Sequence, residues 1–157
     1  MLQEYAPALS RLARSYAPDD VDQQDLLQDI AFALWKALPL FRNECSERTF
    51  VYRVAHNRGL SHRYRQTTHT LPLEAAAEVV DHGVAPDDAA QRNDRSMQLL
   101  EAVGQLPDGM RQAVVLRLEG LPDREIADVM GISANNVAVR LTRARALLRS
   151  LLGEEEP

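Results

Sequence analysis

One cysteine, Cys45, occurs in 157 residues. No disulfide can form within the chain, and a reducing cytoplasm is the expected setting. No apolar run approaches the roughly 20 residues that a membrane span requires, so no membrane insertion is expected. The stretch from Met1 to Arg14 is amphipathic and carries Glu4, which does not read as a signal peptide. Lysine is nearly absent: Lys36 is the only lysine among 18 basic side chains, and the others are arginine. Arginine suits planar contacts to phosphates and base edges, although GC-rich coding would enrich it too. Catalytic signatures are also missing, with no nucleophile–base pair and no phosphate-binding glycine loop. Cys45, His56, His62 and His69 stand at no recognisable ligand spacing. The expectation is a protein that is not an enzyme and has no cofactor and no metal.

The net charge of −5 argues against nucleic acid until its distribution is read. Residues 1–65 hold 9 basic and 8 acidic side chains, residues 66–94 hold 1 and 6, and residues 95–157 hold 8 and 9. Two stretches contain no acid. Val51 to Arg65 carries Arg53, Arg58, Arg63 and Arg65, and Ser133 to Leu152 carries Arg140, Arg143, Arg145 and Arg149. Each is a candidate nucleic-acid face on an otherwise acidic chain.

The periodicity is helical nearly throughout, with no convincing strand and no internal repeat. Leu2, Tyr5, Leu9, Leu12 and Tyr16 step by three or four. After Pro18 a second helix starts near Asp22, carries Leu26, Leu27, Ile30, Leu34 and Leu38, and stops at Pro39. Trp35 is expected to anchor the core of this region. A third helix starts near Ser46, a good N-cap, with Phe50, Val51, Val54 and Ala55 inward. Residues 66–88 are punctuated by Pro72, Gly83 and Pro86 as the acid builds up. They read as a linker with little packed structure, or else as a surface helix over Leu73 to Val80. Helices then resume over Asp88–Gln105, Asp108–Leu118, Pro122–Met130 and Ser133–Leu152, with Gly153 as a C-cap. The predicted fold is all-α: a helical domain over 1–66, a flexible acidic linker over 67–88 and a second helical domain over 89–153. Each domain would have a small core of its own, and the free chain would be flexible.

The strongest local signal is REIADVMGISANNVAVRLTRAR, from Arg124 to Arg145. Ala127 is small where two helices must approach. Gly131, four residues on, supplies the positive φ of a tight interhelical turn. Ile132 tucks inward, and Val137 faces back from the second helix, along a stripe continued by Leu141, Ala144, Leu148 and Leu151. These spacings fit a DNA-reading helix-turn-helix, and a plain helical hairpin remains the alternative. Ser133 would cap the recognition helix. Asn135, Asn136, Val139 and Arg140 would project from it; asparagine pairs with adenine and arginine with guanine. Arg143, one turn on, suits a phosphate.

Both halves together resemble a minimal sigma factor of the extracytoplasmic-function type. The resemblance is carried by DLLQDIAFALWKALPLFRNECSERTFVYRVAHNRGLSHRYR from Asp25 to Arg65, and by LPDGMRQAVVLRLEGLPDREIADVMGIS before the recognition helix. It implies that Asp25, Gln28 and Asp29 dock on core RNA polymerase. It implies that the loop around Arg42, Asn43 and Glu44 accepts a base flipped from the minus-10 element, whose extraction a pocket must repay by stacking and hydrogen bonds. Arg53, His56, Asn57, His62 and Arg63 would line the adjoining DNA, with Tyr52 or Tyr64 for stacking. The helix-turn-helix would bind the minus-35 element through Ser133, Asn135, Asn136, Val139, Arg140 and Arg143. The linker, with Glu74, Glu78 and Asp81, would thread toward the polymerase cleft. The implied partners are core RNA polymerase, promoter DNA and an anti-sigma factor, with the chain a monomer when free. Ala134-Asn135-Asn136-Val137-Ala138-Val139 departs from the family pattern, so the minus-35 preference is open; two asparagines favour A·T pairs.

Two other classes fit parts of the pattern. A LuxR-like regulator would bind an operator as a dimer without polymerase. A helical interaction adaptor would use its basic helices on acidic protein and bind no DNA.

Overall fold

In a computed structural model of the chain, residues 2–17, 19–69 and 90–153 are described. The first apolar stripe forms helix α1 (Leu2–Tyr16) and buries Leu9, Leu12 and Tyr16. Helix α2 (Asp20–Ala37) turns Leu26, Ile30, Ala33 and Leu34 inward, and a single 3-10 turn over Leu38–Leu40 stops it at Pro39. Helix α3 (Glu47–His69) begins where Ser46 Oγ accepts a hydrogen bond from the Thr49 backbone N–H at 3.1 Å. That bond satisfies one of the orphan donors of the first turn. The helix runs to His69, past the residue 66 at which the sequence placed the domain end. The predicted linker over 67–88 otherwise falls outside the described residues, as do Glu74, Glu78 and Asp81.

The three helices pack pairwise. Burying a leucine or isoleucine side chain stabilises by about 1.5–3 kcal/mol, so Leu12, Leu26, Ile30 and Leu34, all fully buried, form the energetic centre. Gly59 permits the close approach of α1 and α3: a Cβ there would lie 2.5 Å from the Tyr16 ring. Gly59→Ala gains helix propensity of about 1 kcal/mol but forces a buried ring to move. The expected net loss is about 1–2 kcal/mol, read as a lower urea midpoint at constant m-value.

The second region holds α4 (Ala90–Gln105), α5 (Asp108–Leu118), α6 (Asp123–Met130) and α7 (Ala134–Leu151). Arg111, 1% exposed, ties α4 to α5. Its guanidinium donates to the Gly104 and Leu106 carbonyls, 3.2 Å each, and to the Asp108 carboxylate. A buried arginine is tolerated because both terminal nitrogens find acceptors in this way, while its Nε stays without a hydrogen-bond partner.

The described residues are helical with no strand, in two regions, as the periodicity indicates. The cores are not separate, however. Buried residues of both regions form one continuous cluster, with α3 against α6 and α1 against α5. Side-chain hydrogen bonds between residues 75 to 108 positions apart accompany this packing. No described helix is long and apolar enough to cross a membrane.

Candidate nucleic-acid interface

The turn between α6 and α7 has the geometry its residues demand. Gly131 adopts φ 71, ψ 32, the left-handed region where glycine meets no steric penalty. The Gly131 and Ile132 N–H groups both donate to the Ala127 carbonyl, at 2.8 and 3.1 Å. Ser133 then caps α7, its Oγ accepting from the Asn136 N–H at 3.1 Å. Val137, Leu141 and Ala144 are buried against the rest of the region. Leu151, expected at the end of this stripe, is 45% exposed. Asn135, Asn136, Val139 and Arg143 are exposed on α7 with Ser133 at its start. Arg140 is half-buried, and its guanidinium lies over Gly109 of α5, where an added Cβ would sit 2.6 Å from Nη1. It therefore points toward the junction of the two regions, away from the exposed row.

The loop before α3 presents Arg42, Asn43 and Glu44 to solvent. Phe41 and Phe50 clasp its base, ring centroids 4.6 Å apart. Asn43 holds φ 58, a left-handed conformation that asparagine tolerates better than most residues. On α3, Asn57 and Tyr64 are exposed, while Arg53, His62 and Arg63 are half-buried. Tyr52 and His56, expected to face DNA, are each 3% exposed. Tyr52 packs edge-on against Tyr5 with centroids 6.3 Å apart, and burial pushes its hydroxyl up to about 12. His56 Nδ1 is hydrogen-bonded to Tyr16 Oη at 2.6 Å. In this arrangement both belong to the core, because the inward side of α3 carries polar rings as well as Val51 and Ala55.

Burial, with Arg140 nearby, lowers the His56 imidazole from 6.5 to about 4. The unfolded chain binds a proton there from pH 6.5 downward, and the folded chain only near 4. Stability from this group is full above 6.5 and falls as pH drops through the window, by about 3 kcal/mol in total. Urea unfolding between pH 7 and 4 should show this slope, and His56→Gln should flatten it by about one proton.

On α2, Asp25 and Gln28 are exposed, as docking would require. Asp29 is half-buried and faces α3, with Arg58 and Arg65 at 3.9 and 3.7 Å. Trp35 does not anchor the core: it is 68% exposed, stacked on Phe32 with centroids 6.2 Å apart. Lys36 Nζ lies 4.5 Å over the Phe32 ring. Val21, Asp25, Gln28, Phe32 and Trp35 follow one another by four, three, four and three residues, which is one helix face. The aromatic part of this row is what sequence reasoning missed.

A capped, solvent-facing second helix behind a left-handed glycine turn defines a helix-turn-helix protein of two helical regions. Residues 1–69 match the model of sigma-70 region 2, and residues 96–148 that of sigma-70 region 4. RNA polymerase sigma factor CnrH of Cupriavidus metallidurans is 29% identical over 161 residues, covering 97% of this chain and 84% of that protein. The ECF RNA polymerase sigma factor SigM of Mycobacterium tuberculosis is 30% identical over 147 residues, covering 92% and 71%. CnrH in complex with the cytosolic domain of CnrY superimposes with a TM-score of 0.69 at 26% identity, covering 99% of this chain and 86% of that one. The sigma factor RpoE of Bartonella quintana, in complex with the anti-sigma factor NepR, shares the fold at a TM-score of 0.77 and 21% identity, covering 99% and 96%. The chain belongs to the sigma-70 family and is an RNA polymerase sigma factor of the extracytoplasmic-function type.

Proposed function

We propose that this sigma factor directs promoter-specific initiation by a two-point grip on DNA while held on core RNA polymerase. The outward face of α2, with Asp25, Gln28, Phe32 and Trp35, is the polymerase-docking face. Its mix of carboxylate, amide and aromatic groups suits a basic protein surface with an apolar centre. Asp29 supports this face from the side by pairing with α3. The loop at Arg42, Asn43 and Glu44 takes the flipped minus-10 base, and Arg53, Asn57, His62, Arg63 and Tyr64 follow the adjoining strand. Asn135, Asn136 and Val139 read the minus-35 element, with Arg143 on a phosphate. By likeness to CnrH and RpoE, whose solved forms are bound by CnrY and by NepR, an anti-sigma factor is the regulatory partner.

The observation that carries this reading is the coexistence of the exposed aromatic row on α2 with the capped recognition helix α7. A regulator that only reads an operator has no need of the first. The test is to mix the purified chain with core RNA polymerase and genomic DNA fragments and to sequence the transcript ends. New start sites preceded by a shared pair of upstream elements are expected. Footprints on DNA without polymerase, and no new starts, would overturn it in favour of a free-standing regulator.

A further inference from the structure

The loop assigned to the flipped base is entered through a tight turn that leaves one large side chain without a place in the core. The 3-10 turn over Leu38–Leu40 carries Pro39 in its first residues, and the Phe41 N–H closes it by donating to the Leu38 carbonyl at 3.1 Å. Residues three apart eclipse in such a turn, so Leu38 and Phe41 share its inward side, and both are half-buried. The Phe50 ring holds Phe41 there, with centroids 4.6 Å apart. Leu40 is 77% exposed, more than any other large apolar side chain among the described residues. Proline fixes φ on one side of it, and the clasped Phe41 fixes the chain on the other, so the leucine stands on a rigid support. A single exposed leucine is ordinary; the position of this one is not. Asn43 follows it by three residues, a reach of at most about 11 Å, which is roughly three base steps of a DNA strand.

We propose that Leu40 is a strand-separating wedge, which enters the base stack beside the flipped minus-10 base and keeps the duplex from closing again. Extracting a base breaks its stacking on both neighbours. Proteins that kink DNA open such steps with apolar side chains, leucine among them. The faces of the bases give the leucine an apolar surface to lie on, so its burial is gained at the moment the stack opens. It therefore speeds melting and leaves the recruitment of polymerase unchanged. Rigidity matters here, because a side chain held outward in advance loses little freedom when it inserts. Arg42, exposed two residues further on, suits a backbone phosphate of the same strand. This inference rests on the assignment of the Arg42–Glu44 loop to the flipped base made above.

The probe is a duplex promoter, found by start-site mapping, with 2-aminopurine in place of an adenine of its minus-10 element. The fluorescence of this base rises when it unstacks, and saturating holoenzyme is mixed with the duplex in a stopped-flow cell. Leu40→Ala should slow the rise about tenfold, the factor to which the lower end of a leucine's burial free energy corresponds. Leu40→Phe, which keeps an apolar wedge, should stay within about threefold of the wild type. On a second template, mismatched across the minus-10 element, the stack is already open, and Leu40→Ala should initiate as fast as the wild type. Affinity for core polymerase and the circular dichroism spectrum should not change, since so exposed a side chain adds little to folding. An equal rate of opening in Leu40→Ala would overturn the proposal. So would a defect that persists on the mismatched template, which would assign Leu40 to docking or to base reading. A wild-type holoenzyme that opens no promoter sinks the sigma mechanism and the wedge together; normal opening by both proteins sinks the wedge alone.

Discussion

Trp35→Ala should weaken binding to core RNA polymerase by about a hundredfold while changing folding stability by less than about 0.5 kcal/mol. The two halves of this expectation come from one observation, the 68% exposure of the indole. A side chain that gains little burial on folding costs little when it is removed. On docking, an aromatic of this size can bury 150–250 Å², roughly. Tryptophan at the centre of an interface commonly accounts for more than 2 kcal/mol on truncation, and about 2.7 kcal/mol corresponds to a hundredfold. Phe32 stacks beneath the indole and Lys36 covers Phe32, so the ring is held in place before binding and loses little rotamer freedom there. Biolayer interferometry against immobilised core polymerase reads the affinity, and urea unfolding followed by circular dichroism reads the stability. An unchanged affinity would remove the α2 face from the docking surface.

The second large effect is on α7. Asn136→Ala should reduce initiation at cognate promoters by about five- to a hundred-and-fiftyfold, corresponding to about 1–3 kcal/mol for one lost bidentate base contact. It should also relax selectivity at a single upstream base pair. Arg143→Ala should behave differently: initiation falls at all promoters alike, and the salt dependence of binding drops by about one unit. The distinction rests on position. Asn136 stands in the first turn beside the Ser133 cap, and Arg143 lies two turns further along the exposed side. Randomised upstream elements, transcribed by the reconstituted holoenzyme and sequenced, separate the two patterns.

What the chain discloses before folding depends on distance along it. The helix-turn-helix is local: Ala127, Gly131, Ser133 and Val137 lie within eleven residues, roughly three helical turns, and each constrains its neighbours. The structure gives every one of them its expected place. Trp35, expected in the core, is legible as an outward residue from its spacing. It stands nine residues after Leu26, about two and a half turns, which puts it on the opposite side of α2 from the core. His56 and Tyr52 failed for another reason. On the acid-free helix α3, a polar ring looks like a DNA contact, and only Tyr16, 40 residues away, shows that His56 has a buried partner. The packing of the two regions on each other is the least legible feature. Arg11 and Glu119, which pair across it, are 108 residues apart, and no periodicity joins them.

Cys45, the sole cysteine, lies next to Glu44 in the loop assigned to the flipped base, and it offers a chemical handle at that point. An iron chelate attached through its thiol, supplied with hydrogen peroxide and with ascorbate to re-reduce the iron, generates hydroxyl radicals that cut nearby DNA. With core polymerase and a promoter identified by start-site mapping, cutting should cluster within a few nucleotides of the minus-10 element on the non-template strand. It should vanish when polymerase is omitted. Cutting at the upstream element, or the same pattern without polymerase, would contradict a sigma factor that grips DNA at two points from the surface of the enzyme.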